Sequence, residues 1–134
     1  MDGLDAMDGV DVATGVATAT AGGAGTIGNV TSAEIIEEIG ARLARAAPSN
    51  SRVVLFGSYA RGQADEGSDY DILVIEPEVA DAAQESVRLR AELGDLLVPI
   101  DVVVIDRERA RRRASVRGTM VERALREGRV LADT

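Results

Sequence analysis

The sequence contains no cysteine, no histidine and no lysine, and each absence removes a class of chemistry. Without cysteine and histidine the chain can form no disulfide, no Cys/His zinc site and no iron–sulfur cluster, and it has no Ser–His or Cys–His nucleophilic pair. Without lysine it has neither a Schiff-base amine nor a Walker-type phosphate loop. Catalysis is left to carboxylates, hydroxyls, arginines, backbone amides and a metal ion bound through oxygen.

Aromatic residues are also scarce, since Phe56, Tyr59 and Tyr70 are the only ones. Because 46% of the 134 residues are hydrophobic, the chain can still form one core from aliphatic side chains. No apolar run approaches the roughly 20 residues of a membrane-spanning helix, and the acidic first residues do not resemble a secretory signal. We therefore expect a soluble, cytoplasmic protein that makes no membrane contact.

Charge of one sign dominates the chain, whose formal net charge is −8 at pH 7. Basic surface supplies most of the affinity of proteins for nucleic acids, so direct nucleic-acid binding is disfavoured. Arg107, Arg109 and Arg111 to Arg113 form a basic run. Such a run favours a solvated helix face, and a docking surface for an acidic partner or a triphosphate is the alternative.

Two segments differ in composition. Residues 1–30 are rich in glycine, alanine, threonine and aspartate and contain no large apolar cluster, which predicts a disordered leader. A glycine-rich phosphate loop is the alternative for the GGAGTIG stretch, although no strand of buried aliphatic residues precedes it. Residues 31–134 carry the apolar periodicity of a folded domain.

Within that domain, Thr31 and Glu34 form a capping box at the start of a helix that ends by Pro48. Apolar runs predict strands at 52–56, 70–76 and 99–106, while helical spacing predicts a helix over 78–97. From residue 107 onward the pattern predicts one helix or two, with a break near Gly118–Thr119, and a short extended piece at the end. This order is typical of an α/β or α+β domain, a small mixed β-sheet flanked by helices.

Three carboxylates stand out on or beside these strands. Asp69 and Asp71 have the spacing that places two strand side chains on one face, and Asp101 begins the next strand. A single aspartate of this kind is most simply a turn cap or an exposed strand-end residue. Three of them converge if the strands are neighbours, and like charges gather at low cost only around a cation. Carboxylate oxygens select Mg²⁺ or Mn²⁺.

Gly57 and Ser58 directly follow the first predicted strand. Glycine allows the backbone to approach an anion closely, and the serine hydroxyl and following amides can donate to phosphate. An ordinary turn between a strand and a helix explains the pair equally well. The spacing adds the specific information, because Gly-Ser and Asp-Tyr-Asp are separated by ten residues in GSYARGQADEGSDYDILV.

This GS-x10-DxD pattern, with the later IDVVVID and ALREGRVL, resembles the nucleotidyltransferase superfamily that includes DNA polymerase β. The resemblance is greater to minimal nucleotidyltransferases, the antitoxin-type members partnered with HEPN toxins, and it covers roughly residues 33–131. It implies a polymerase β-like fold, two Mg²⁺ ions with Mn²⁺ as an alternative, and ATP as substrate. The metal-binding and catalytic residues that it implies are Asp69, Asp71 and Asp101, and the triphosphate-binding residues are Gly57, Ser58 and Arg61.

The resemblance further implies that Asp101 accepts the proton of the attacking hydroxyl, and that Arg61 either braces the loop or touches phosphate. It implies transfer of AMP from ATP to a tyrosine of a partner HEPN ribonuclease toxin, in an antitoxin role. A chain this short has room for little beyond the catalytic unit, which favours an acceptor surface on a partner protein. Two alternatives remain: an antitoxin that neutralises its toxin by binding alone, and a nucleotidyltransferase acting on a small molecule.

The composition of the leader generates a first prediction. Deleting residues 1–30 removes no large apolar cluster, so we expect the melting temperature of the remaining chain to stay within a few degrees of that of the full chain. Thermal unfolding followed by circular dichroism measures this. A large drop in melting temperature would mean that the leader packs against the domain.

Overall fold

The computed structural model describes residues 30–134, so the predictions of a disordered leader and of its alternative, a phosphate loop at GGAGTIG, concern residues outside the described part. The described chain forms one four-stranded mixed sheet with helices on both faces. Its elements in chain order are α1 (Ser32–Ala46), β1 (Arg52–Phe56), α2 (Ser58–Arg61), β2 (Tyr70–Glu76), α3 (Ala82–Ala91), a 3₁₀ turn (Gly94–Leu96), β3 (Ile100–Asp106), α4 (Arg107–Ala114), α5 (Met120–Glu127) and β4 (Arg129–Asp133).

The strand order is β3-β2-β1-β4, which makes β2 and β1 the central strands. β1 pairs antiparallel with β2 and with β4, whereas β2 pairs parallel with β3. In this register Asp71 lies opposite Phe56 on one side and opposite Asp101 on the other. The end of β1 and the beginnings of β2 and β3 therefore meet at the same end of the sheet.

Two apolar layers enclose the sheet, because successive side chains of a strand point to opposite faces. One layer packs the sheet against α1 and α3, and its buried members include Ile39, Leu43, Val53, Leu55, Ile72, Val74 and Leu89. The other packs it against α4 and α5, and its buried members are Val54, Leu73, Ile75, Ile105, Ala110, Val121 and Ala124. Burial of each large aliphatic side chain contributes about 1.5–3 kcal/mol, so the two layers hold the helices on the sheet.

Most of the predicted elements are confirmed. The capping box at Thr31 is present, and strands occupy 52–56 and 70–76 as predicted. The third strand begins one residue later than predicted, at Ile100. The arginine-rich segment is two helices, separated at Gly118, and the final extended piece is β4, an edge strand. No helix within residues 30–134 has the length and apolar character that a bilayer crossing requires.

The helix predicted over 78–97 is wrong in its extent. The structure has α3 over Ala82–Ala91 only, followed by the 3₁₀ turn at Gly94–Leu96. The helix begins late because the Asp81 side chain caps it, accepting a hydrogen bond from the Gln84 amide at 3.1 Å. It is also less buried than the pattern suggests, since the side chain of Val87 is 69% exposed.

A carboxylate is buried at the end of β2. Glu76 is 2% exposed, and among the described residues its Oε2 has no hydrogen-bond partner. Burial in the protein, with a smaller contribution from Glu85, raises the pKa of Glu76 to about 7. The charged form of Glu76 is therefore disfavoured in the folded state relative to the unfolded chain.

This burial generates a pH prediction. The folded protein holds the Glu76 proton up to about pH 7, whereas an unfolded glutamate releases its proton near its ordinary pKa of 4.5. Stability is thus greatest below the unfolded pKa and falls as the pH rises through the folded pKa. We expect Glu76→Gln to remove this decline and to stabilise the protein at pH 8 by about 2 kcal/mol. Urea unfolding at pH 5 and pH 8 measures the change.

Glu78→Gln is the matched control, because Glu78 is two residues further along the chain and exposed. We expect it to leave the pH dependence as it is in the unmodified chain. Equal pH dependence in the Glu76→Gln variant and the unmodified chain would contradict the prediction.

Candidate active site

Two of the predicted carboxylates, Asp71 and Asp101, lie on the same face of the sheet at the end where β2 and β3 begin, and Asp69 immediately precedes β2. In β2, Asp71 lies between Tyr70 and Ile72, whose side chains belong to the layer under α1 and α3. Asp71 therefore points to the opposite face, which α4 and α5 cover further along the strand. Asp71 is half-buried, while Asp69 and Asp101 are exposed. The second and third strands are neighbours, which is the condition that convergence of the carboxylates requires.

The electrostatics of Asp71 connect the three side chains. Burial raises the pKa of Asp71, and the negative charges of Asp101 and Asp69 raise it further. The positive charge of Arg61 acts in the opposite direction. The carboxylates are thus near enough to repel one another, and a positive charge placed among them would be stabilised.

The position of these residues fits a hard divalent cation, although the geometry is not preformed. Within residues 30–134, no three acidic side chains already converge into a group that could hold a metal ion. Asp71 and Asp101 are nevertheless opposed on adjacent strands, which are about 4.8 Å apart in β-sheets. Because Asp69 and Asp101 are exposed, rotation of their side chains can bring their oxygens toward Asp71. Clustered carboxylate oxygens are ligands that suit Mg²⁺ or Mn²⁺.

Gly57 connects this face with the preceding strand. Its backbone has φ 79° and ψ −158°, a combination that is almost confined to glycine. A Cβ atom at this position would lie 2.2 Å from Oδ2 of Asp71. Only a residue without a side chain therefore allows the chain to leave β1 directly beside the Asp71 carboxylate.

The segment after Gly57 is a single helical turn, α2. The carbonyl of Gly57 accepts hydrogen bonds from the amides of Ala60 and Arg61, each at 3.1 Å, and Gly62 ends the turn in the left-handed conformation. The Ser58 and Tyr59 amides at its start lack partners within the turn. Gly57 therefore lies beside Asp71, and Ser58 is the first residue of the turn that follows.

Two aromatic rings position α2 against β2. The rings of Tyr59 and Tyr70 are stacked, with their centroids 3.9 Å apart and their planes 7° from parallel. Tyr70 is only 3% exposed, so it is a rigid support for the half-buried Tyr59. Because Tyr59 follows Ser58 and Tyr70 lies between Asp69 and Asp71, the contact joins the beginning of α2 to the beginning of β2.

Arg61 braces the turn. Its Nε donates to Oε1 of Gln63 at 3.1 Å, and its Nη1 lies 3.6 Å from Oε1 of Glu127 at the end of α5. These contacts join the turn to Gln63 and to α5. Glu127 was not among the predicted site residues, and the sequence carries no signal for a pair so far apart along the chain.

The close approach at Gly57 generates a prediction about stability. Gly62→Ala adds a methyl group that contacts nothing within 4 Å, so its cost is the positive φ alone, about 1–2 kcal/mol. Gly57→Ala also drives a methyl group into Asp71, which adds about 1–3 kcal/mol. We expect Gly57→Ala to be the more destabilising of the two in urea unfolding. In an Asp71→Ala background the difference between the two variants should shrink, and equal costs in the original background would contradict the assigned contact.

Solved structures share this fold. One chain of a toxin–antitoxin complex with AMP-PNP is 24% identical over 73% of this chain and 73% of its own length, with a TM-score of 0.55. One chain of a mutant toxin–antitoxin complex, MntA–HpeT, is 21% identical over 73% of this chain and 73% of its own length, with a TM-score of 0.52. A tri-AMPylated Shewanella oneidensis HEPN toxin in complex with its MNT antitoxin gives 20% identity over 75% of this chain and 72% of that chain, with a TM-score of 0.50. At these identities the similarity is one of fold.

Comparison with curated proteins gave no match. The model of the nucleotidyltransferase domain family, in contrast, matches residues 34–130. The matched span runs from α1 into β4 and includes all six residues predicted for the site. The chain belongs to the nucleotidyltransferase domain family.

Proposed function

We propose that this protein is a magnesium-dependent nucleotidyltransferase that transfers AMP from ATP to a tyrosine of a partner HEPN ribonuclease toxin, and so acts as an antitoxin. The observation that carries the proposal is the placement of Gly57 beside Asp71, on the face that also presents Asp101. A site of this composition offers hydrogen-bond donors for the phosphates and carboxylate ligands for a metal ion, and it needs no cysteine, histidine or lysine.

The proposed reaction is a substitution at the α-phosphorus of ATP. The tyrosine oxygen forms a bond to the α-phosphorus, the bond from that phosphorus to the bridging oxygen breaks, and pyrophosphate leaves. Asp101, which is exposed at the beginning of β3, accepts the proton of the tyrosine hydroxyl. Its exposure lets a bulky acceptor approach.

The other residues bind and orient. The hydroxyl of Ser58 and the amides at the start of α2 donate to the triphosphate, and the stacked tyrosines keep that turn in place. Asp69, Asp71 and Asp101 would hold Mg²⁺, which when bound stabilises the negative charge that develops on the attacking and leaving oxygens. Arg61 maintains the distance between the turn and α5 through Glu127.

The choice of a protein acceptor rests on the structural neighbours of the chain. The three similar structures described above are toxin–antitoxin complexes, and one of them contains an AMPylated HEPN toxin.

The test is to incubate the purified protein with Mg²⁺, ATP and the HEPN protein encoded beside it, and to measure the mass of the intact partner by mass spectrometry. We expect one or more AMP units on the partner, and peptide mapping should locate them on tyrosine. Asp69→Asn with Asp71→Asn should reduce transfer at least a thousandfold, because the proposed metal ligands are lost. The melting temperature should not fall, since the change relieves repulsion between like charges.

Glu66→Gln with Glu92→Gln is the matched control, because it also removes two exposed negative charges and leaves the proposed ligands in place. Full transfer by the Asp69/Asp71 variant would overturn the metal-site assignment. A partner that binds tightly without gaining mass, whichever nucleoside triphosphate is supplied, would establish neutralisation by binding alone. Transfer to added small molecules, but not to the partner, would establish the small-molecule alternative.

A further inference from the structure

A second polar cavity lies at the other end of β2. Its volume is ≈ 570 Å³, and it is lined by residues from the end of β2, the connection that follows, α3 and Pro48. Glu76 and Asp71 are five residues apart on β2, so roughly 16 Å separates the two sites at about 3.3 Å per residue. The proposed transfer reaction does not use this cavity.

The charge of this cavity is mostly negative. Four carboxylates line it, and Arg88 is the one basic side chain among the described residues of the lining. Arg88 is already engaged, since its Nη2 lies 2.6 Å from Oε2 of Glu85 and donates to the carbonyl of Ala46 at 3.0 Å. The remaining carboxylates of the lining are Glu76, Glu78 and Asp81.

Glu76 distinguishes this cavity from an ordinary acidic surface. It is 98% buried, being 2% exposed, and its Oε2 accepts no hydrogen bond from residues 30–134. A buried carboxylate costs free energy unless it is protonated or a cation neutralises it. Burial, and then a hydrogen bond shared with Glu85, raises the pKa of Glu76, so a bound cation would take the place of the proton on Glu76.

Much of the remaining lining is apolar. Val79, Ala80 and Val87 border the carboxylates, and Val87 is 69% exposed. A ligand that combines a positive charge with methylene groups would fit both the carboxylates and the apolar residues of the lining. Its methylene groups would cover the apolar surface while its charged end reaches Glu76.

We propose that this cavity binds the cationic end of an aliphatic chain, an alkylguanidinium or alkylammonium group, with the charge at Glu76 and the methylenes against Val79, Ala80 and Val87. The proposal is independent of the transfer reaction. Two sources supply this chemistry: a free aliphatic amine or guanidine, and an arginine or lysine side chain of another protein.

The test uses the full chain and n-butylguanidinium as the probe, with butylurea as the uncharged probe of similar shape. We expect saturable binding of butylguanidinium in isothermal titration calorimetry and at least tenfold weaker binding of butylurea. Near pH 6.5, binding should release protons from Glu76, so the measured heat should vary with the ionisation enthalpy of the buffer. A merely acidic surface would bind without proton release.

Glu76→Gln should weaken butylguanidinium binding at least tenfold and abolish the proton release. Glu108→Gln is the control, because it removes a negative charge from an exposed position on α4, and it should change neither. Unchanged binding in Glu76→Gln, confirmed as folded by circular dichroism, would overturn the proposal, as would equal binding of the two probes.

A short blocked peptide, Gly-Val-Arg-Val-Gly, distinguishes the two sources of the ligand. Much tighter binding of the peptide than of butylguanidinium points to a protein side chain, and equal binding points to a free cation.

Discussion

The structure depends on the position of β2 between an antiparallel and a parallel neighbour. Alternate residues of this strand have to point to opposite faces, so one set builds the layer under α1 and α3 and the other builds the layer under α4 and α5. Asp71 belongs to the second set, at the end that α4 and α5 do not cover. A shift of one residue in the register would turn Asp71 toward the layer under α1 and α3, so the same register that builds the two layers also positions this carboxylate.

At one end of that strand the protein brings like charges together. The cost is visible in the raised pKa of Asp71. The glycine beside Asp71 lets the backbone of α2 approach the carboxylate, and the stacked tyrosines maintain that approach. Local strain and repulsion of this kind persist because the two aliphatic layers supply the stability of the fold.

At the other end of the same strand, a glutamate meets a different environment. Asp71 is partly solvated and lies near exposed acids, while Glu76 is almost fully buried. The two carboxylates therefore respond differently to their surroundings. The first is suited to metal ions in contact with solvent, and the second to a proton or to a cation that enters the cavity.

The sequence alone determined the strands, the capping box at Thr31 and the family pattern, because these depend on spacing along the chain. It also singled out Asp69, Asp71 and Asp101 as candidate metal ligands. It overestimated the helix after β2, because apolar spacing does not reveal that Asp81 caps a later start. Only the tertiary structure decided that Arg61 contacts Glu127, that Gly57 lies against Asp71, and that Glu76 is buried without a donor. These contacts join residues from different elements, and their geometry follows from how the helices pack on the sheet.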